Sequence, residues 1–117
     1  MRHRVKKNSL NMANDHRVLL VKNLVTDLIE NGKLKTTEKR AKIIQSELEK
    51  LITYAKTHNQ LMIIRRLKQV ILTESASKKF LEEIFPKYKE QKSGFVRIIN
   101  AGYRAGDAAI LCYIELV

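Results

Sequence analysis

Six cationic side chains, Arg2, Arg4, Lys6, Lys7, Arg17 and Lys22, fall within the first 22 residues beside His3, His16 and a single acid, Asp15. Guanidinium and ammonium groups at this density, with almost no carboxylate to oppose them, do one chemistry well, which is to neutralise phosphates. So cationic a segment buries too little apolar surface to offset its ordering entropy. Residues 1–15 are therefore expected to form a basic N-terminal arm, structured where a polyanion meets it; a merely solvated tail is the plainer alternative. A second group, Lys33, Lys35, Lys39, Arg40 and Lys42, surrounds Thr36 and Thr37 in the stretch KLKTTEKRAK, with Glu38 as its one acid. Amides at a helix N-terminus there can add to a phosphate site, although Glu38 competes for the first of them. Arg65 and Arg66 project from a helix either as a further contact or as a solvated face. Tyr88, between Lys87 and Lys89, either stacks on an unpaired base or packs below Pro86.

Other chemistries are poorly supported. His3, His16 and His58 never approach one another at ligand spacing, and the one cysteine, Cys112, lies in an apolar run where a small core residue is expected. No phosphate-cradling glycine loop, Gly-x-Ser-x-Gly elbow or paired-histidine motif occurs. Asp107 follows a glycine in a turn and Glu115 lies in a strand-like segment, so both are read as structural rather than catalytic acids. No enzymatic activity, cofactor, metal or small-molecule substrate is expected.

Across 117 residues, 23 Lys and Arg stand against 12 Asp and Glu, a formal charge of +11, with 44% hydrophobic content. That is enough apolar material for one core and too little length for two. The charge points to nucleic acid or an anionic surface. No apolar run reaches the roughly 18 residues of a membrane span, no hydrophobic signal core opens the chain, and a lone cysteine suits a reducing compartment. A cytoplasmic protein with no membrane partner is expected.

The elements that must carry these residues can be read from periodicity. Leu20, Val21, Leu24, Val25, Leu28 and Ile29 recur at helical spacing from about His16 to Asn31, with Asp15 as cap and Gly32 as terminator. Residues 33–36 alternate like a short strand. Thr37 and Glu38 open a second helix whose stripe is Ala41, Ile44, Leu48, Leu51, Ile52 and Ala55. Residues 60–72 are apolar around most of their circumference, which predicts a short helix packed on more than one side. Phe80, Leu81, Ile84 and Phe85 mark another helix, ended or kinked by Pro86. Residues 95–99 and 109–117 read as two strands joined by a turn at Gly102 to Gly106. The expected class is α+β: a two-layer α/β body in the order helix, strand, three helices, two strands, with helices on a small mixed sheet. Residues 16–117 form its single α/β domain.

The words MetArgHisArg at 1–4, HisArg at 16–17, ThrThr at 36–37, AlaLys at 41–42, LeuIleThr-x-AlaLys at 51–56, ArgArg at 65–66, Gly-x-x-ArgIle at 94–98, Gly-x-Arg-x-GlyAsp-x-Ala at 102–109 and IleGluLeuVal at 114–117 occur in one order along the whole chain. In that order the sequence resembles the bacterial-type large-subunit ribosomal protein seventeen family. The resemblance implies a structural, rRNA-binding constituent of the large subunit, with neighbouring ribosomal proteins as partners. It further implies that Arg2, His3, Arg4, His16 and Arg17 belong to an RNA-contacting arm, that Thr36, Thr37 and Lys42 mark the strand-to-helix junction, and that Arg97 and Arg104 are arginines of the C-terminal sheet. Lys6, Lys7, Lys22, Lys39, Arg40, Arg65 and Arg66 complete the candidate RNA contacts on charge alone. Three positions depart from the family's habit: Lys7-Asn8, Met12 and Gln45. A free nucleic-acid chaperone or DNA-binding regulator shares the charge but needs a recognition helix, and no helix-turn-helix spacing is present. A small nucleic-acid-processing enzyme built on Asp107 and Glu115 is the rival from another class.

Overall fold

A computed structural model of the chain describes His3 and residues 10–117. Helix α1 spans Asn14–Asn31, strand β1 Lys33–Thr37, helix α2 Glu38–Thr57 and helix α3 Gln60–Val70. Helix α4, Glu74–Lys79, runs through a π-helical turn at Phe80–Ile84 into α5, Phe85–Tyr88; strands β2, Val96–Tyr103, and β3, Ile110–Leu116, follow.

The last-made strand is the middle one. The sheet order is β1-β3-β2, with β3 antiparallel to both neighbours. The expectation of a mixed sheet is thus corrected to an antiparallel one: β2 and β3 are joined by a tight turn, and β1 pairs with the far side of β3 in reverse sense. Leu34 and Ile98 both lie opposite Ile114, and Thr36 and Asn100 both lie opposite Cys112. A register shift between Asn100 and Gly102 adds one residue to β2, the local extra twist expected of a bulge.

Residues alternate across this sheet with a period of two. Its inner face carries Val96, Cys112 and Ile114, all buried, with Leu34, Ile98 and Leu116 packed against the same core. Helix α2 crosses all three strands and α1 lies beside it against β1 and β3. Between the layers sit Val25, Leu28 and Ile29 of α1 and Ala41, Ile44, Leu48 and Ile52 of α2, with Leu67, Phe80, Tyr88 and Phe95 closing the sides. Apart from Leu20, which lies outside it beside His16, the stripes expected in α1 and α2 supply this core or pack against it, and Cys112 is buried in it.

Several local expectations are revised. Helix α1 starts at Asn14, so Asp15 lies inside the first turn and Ala13 occupies the cap position without a side-chain bond. Asp15 still complements the helix dipole from there. Gly32 ends the helix at φ 75° and donates its N–H to Leu28 O at 2.8 Å, the left-handed geometry that only glycine adopts without cost. Thr37 caps α2 by backbone conformation alone. Helix α3 is a surface helix: only Ile63 and Leu67 are buried, while Leu61 and Met62 face solvent. Asn59 caps it, accepting from the Met62 N–H at 3.0 Å.

Pro86 neither stops the chain's helical path nor leaves it regular. Phe85 keeps right-handed helical dihedrals at φ −59° and ψ −47°, and its N–H reaches back five residues to Phe80 O. A wider turn just before proline relieves the clash its ring makes with the carbonyl four residues earlier. The helix therefore continues past Pro86 to Tyr88.

Candidate nucleic-acid interface

Helices α1, α2 and α3 enclose a cleft of about 340 Å³ lined by Arg17 and Lys22 from α1, Glu47 from α2, and Arg66 and Gln69 from α3, over Val18, Val21, Ile43 and Val70. Three cations therefore meet one carboxylate above an apolar floor. Arg17 is held from behind, its Nη2 donating to Asn14 Oδ1 at 2.5 Å. Arg66 donates to Gln69 Oε1 at 3.3 Å and lies 5.8 Å from the Tyr54 ring centroid. Tyr54 in turn stacks on His58 at 3.7 Å with 10° between planes. Arg40 precedes Ile43 by three and Glu47 by seven residues on α2, so it shares their helix face. Because Arg17 sits in the first turn of α1, the segment preceding that helix joins the body at this end of the cleft.

The other expected site residues are more dispersed. His16 is exposed and lies with Asp15, Leu19, Leu20 and Asn23, away from the cleft. His3 is exposed; Arg2, Arg4, Lys6 and Lys7 lie outside the described residues. Arg65 points to solvent beside Arg66 without lining the cleft. At the strand-to-helix junction Thr36 and Thr37 are half-buried and Lys39 is exposed, while Lys42 pairs with Glu38 at 2.9 Å one turn away. Glu38 thus occupies the first turn of α2 and tethers one of the junction's cations.

Arg97 and Arg104 are both engaged with acids. Glu115 on β3 accepts from Arg97 on β2 and lies 3.9 Å from Lys33 on β1, so one carboxylate holds a cation from each edge strand. Arg104 grips Asp107 through two bonds, Nε to Oδ1 at 3.0 Å and Nη2 to Oδ2 at 2.5 Å. That contact, seconded by the Ala109 N–H, holds the Asp107 carboxyl down at about 2, and Asp107 raises the Arg104 guanidinium above its ordinary value. The two acids raised as catalytic candidates are thereby accounted for as ion-pair partners. Among the described residues no group of three or more His, Cys, Asp or Glu is placed to hold a metal ion, and no helix is long and apolar enough to cross a membrane.

The structure decides one role that the sequence left open and adds two that no motif showed. Tyr88 is not a stacking platform: it is 1% exposed, meets Phe95 edge-on, and donates its hydroxyl to Val117 O at 2.5 Å. Gln45 donates to Val96 O at 3.1 Å and so fastens α2 to the start of β2. Thr26 is the one buried polar side chain among the described residues; it donates to Lys22 O and accepts from the Leu72 N–H at 3.2 Å, linking α1 to the segment after α3. Each depends on which elements face one another, which no local pattern of residues encodes.

Comparison with known proteins places the chain in a family. The family described as Ribosomal protein L17 matches residues 20–117. Proteins named large ribosomal subunit protein bL17 are similar over nearly all of the chain. That of Neorickettsia sennetsu is 40% identical over 117 residues and that of Sulfurimonas denitrificans 42% over 117 residues, each match covering 100% of both chains. That of a Thermoanaerobacter species is 44% identical over 108 residues, covering 92% of this chain and 96% of the relative. With the family matched across most of its length and such relatives covered end to end, the chain belongs to the ribosomal protein L17 family.

Proposed function

We propose that this protein binds and braces large-subunit rRNA, with the basic segment 1–15 and the cleft between α1, α2 and α3 acting as one cationic surface and the α/β body fixing its orientation. Its relatives are named as components of the large ribosomal subunit, and this chain takes the same structural, non-catalytic place in the ribosome, with rRNA and adjoining ribosomal proteins as partners. The observation that carries the RNA reading is the convergence of Arg17, Lys22 and Arg66 from two helices onto a single cleft. Residues so far apart in sequence come together there with Glu47 as the only acid in the lining. Such contacts position a protein on phosphates without reading bases. Losing one arm arginine should accordingly weaken binding with little change in sequence preference.

The deciding experiment is gradient sedimentation of a cell lysate at high and low magnesium, followed by salt washing of the large subunit. The wild-type protein should follow the large subunit through dissociation and resist moderate salt, while the combined Arg17→Glu, Lys22→Glu and Arg66→Glu variant should wash off at lower salt. A wild-type protein that stays at the top of the gradient would overturn the reading. A variant as salt-resistant as wild type would remove the cleft from it.

A further inference from the structure

The face of the sheet turned away from the helices is open, and its chemistry is not that of an ordinary solvated surface. Lys33, Glu115 and Arg97 lie side by side across β1, β3 and β2, and in the next outward row come Lys35, Tyr113 and Ile99. Lys33 and Arg97 side chains are 55% and 60% exposed, and Ile99 is 42% exposed. The Tyr113 ring has the Lys33 ammonium 4.5 Å and the Lys35 ammonium 5.7 Å from its centroid. Glu115 is the one acid of the two rows, and Arg97 and Lys33 both flank it.

We propose that this open sheet face is a second RNA-contact surface, on which an unpaired nucleotide stacks against Tyr113 and Ile99 while Lys33 and Lys35 hold its phosphates. Neighbouring strands lie about 4.8 Å apart, so the Tyr113 ring and the Ile99 side chain together offer an apolar platform of about a base's width. Aromatic platforms on sheets, ringed by cations, favour single strands because every unpaired base has a face to stack while a duplex hides its own. Lys33 is exposed enough to leave the ring for a phosphate as a base arrives, exchanging one favourable interaction for another. Three cations against one acid match a polyanion. A folded protein partner would instead have to desolvate those ammoniums. The proposal rests on the RNA reading above for the identity of the polyanion, and adds to it a preference for unpaired nucleotides.

The test uses the full chain with an oligouridylate dodecamer, a blunt RNA duplex of equal length, and the same dodecamer carrying 5-iodouridine for photocrosslinking. Tyr113→Ala should weaken binding of the single strand about five- to tenfold, Tyr113→Phe should stay within about twofold of wild type, and the duplex should be nearly indifferent to both. The wild-type crosslink should map to Tyr113 by mass spectrometry, which decides the matter even if the alanine variant fails to fold. Crosslinks confined to the α1–α3 cleft or the N-terminal segment, with Tyr113→Ala binding like wild type, would overturn the proposal and leave the RNA reading standing. Equal losses for single strand and duplex would also overturn it. Binding of neither probe would sink both readings. Protection of Tyr113 from iodination by an oligoglutamate peptide, but not by oligouridylate, would make the face a protein-docking surface instead.

Discussion

Arg104 and Asp107 close the turn between β2 and β3 on each other, guanidinium and carboxylate sharing two bonds at 3.0 and 2.5 Å. The backbone completes the fastening: Arg104 N–H donates to Ala109 O at 2.8 Å and Ala108 N–H to Arg104 O at 3.0 Å. The hairpin tip is therefore held by its own charges, and the Arg104 donors are partly spent before any phosphate arrives.

The Asp107 carboxyl, bonded by Arg104 and then by the Ala109 N–H, titrates at about 2 instead of its ordinary 3.8. A depressed carboxylate pKa contributes stability that is complete above the unfolded value and disappears as pH falls through the folded one. The turn should accordingly keep its geometry down to pH 4 and loosen only toward about pH 2. Following the Asp107 carboxyl carbon and the Ala109 amide by NMR checks this; a shared midpoint near 3.8 would contradict it.

Salt dependence tests the cleft more quantitatively than affinity does. Removing one cation that neutralises a phosphate should reduce the slope of log affinity against log salt by about 0.7 to 0.9. Arg17→Ala, Lys22→Ala and Arg66→Ala should each give about one such step on rRNA fragments, and the triple variant about three if the three act independently. An unchanged slope in all of them would show that the cleft touches no phosphate.

Thr26→Val keeps the shape of the side chain and deletes its hydroxyl. The Leu72 N–H, which Thr26 accepts at 3.2 Å, is then left in a part-buried place without its partner. Urea denaturation should show a loss of about 1 to 3 kcal/mol. A change within a few tenths would mean that water replaces the bond at no cost.

Gly32→Ala probes backbone conformation in isolation. A Cβ there meets nothing within 4 Å, yet the residue stands at φ 75°, so the cost is conformational and should be about 1 kcal/mol. Thermal melting measures it. A larger loss would indicate that the hydrogen bond from the Leu116 N–H to Gly32 O, 3.2 Å long, is disturbed as well.

Much of the body was legible because its signals are local. The stripes Val25, Leu28, Ile29 and Ala41, Ile44, Leu48, Ile52 follow the helical period, and all of them are buried. Gly32 announced its own turn by needing a positive φ. The hairpin of β2 and β3 was legible too, but the pairing of β1 with β3 across the length of the chain was not. Lys33, Glu115 and Arg97 become neighbours only once β3 lies between β1 and β2, and nothing in the segment around any one of them says so. Leu61 and Met62 looked like core because they are apolar, but α3 has neighbours on one side only and leaves them in solvent. Tyr88 could be read either as a stacking surface or as packing below Pro86, and the π turn ahead of Pro86 carries the helix far enough to bury it. The candidate arginines were found by charge, and their meeting in one cleft was not, because it depends on how α1 and α3 face each other across α2.

The central place of β3 has a consequence for the order of assembly. A chain synthesised from its N-terminus makes β1 early and β2 late, and neither has a partner until the strand that separates them has been made. Until then the helices lack the floor formed by Cys112 and Ile114, and two unsatisfied strand edges await one insertion. Closure of the fold is thus a late, long-range event, slow by comparison with helix formation. A nascent protein halted just short of Ile110 should hold helices without a sheet, exposed to mispairing and ready for a chaperone.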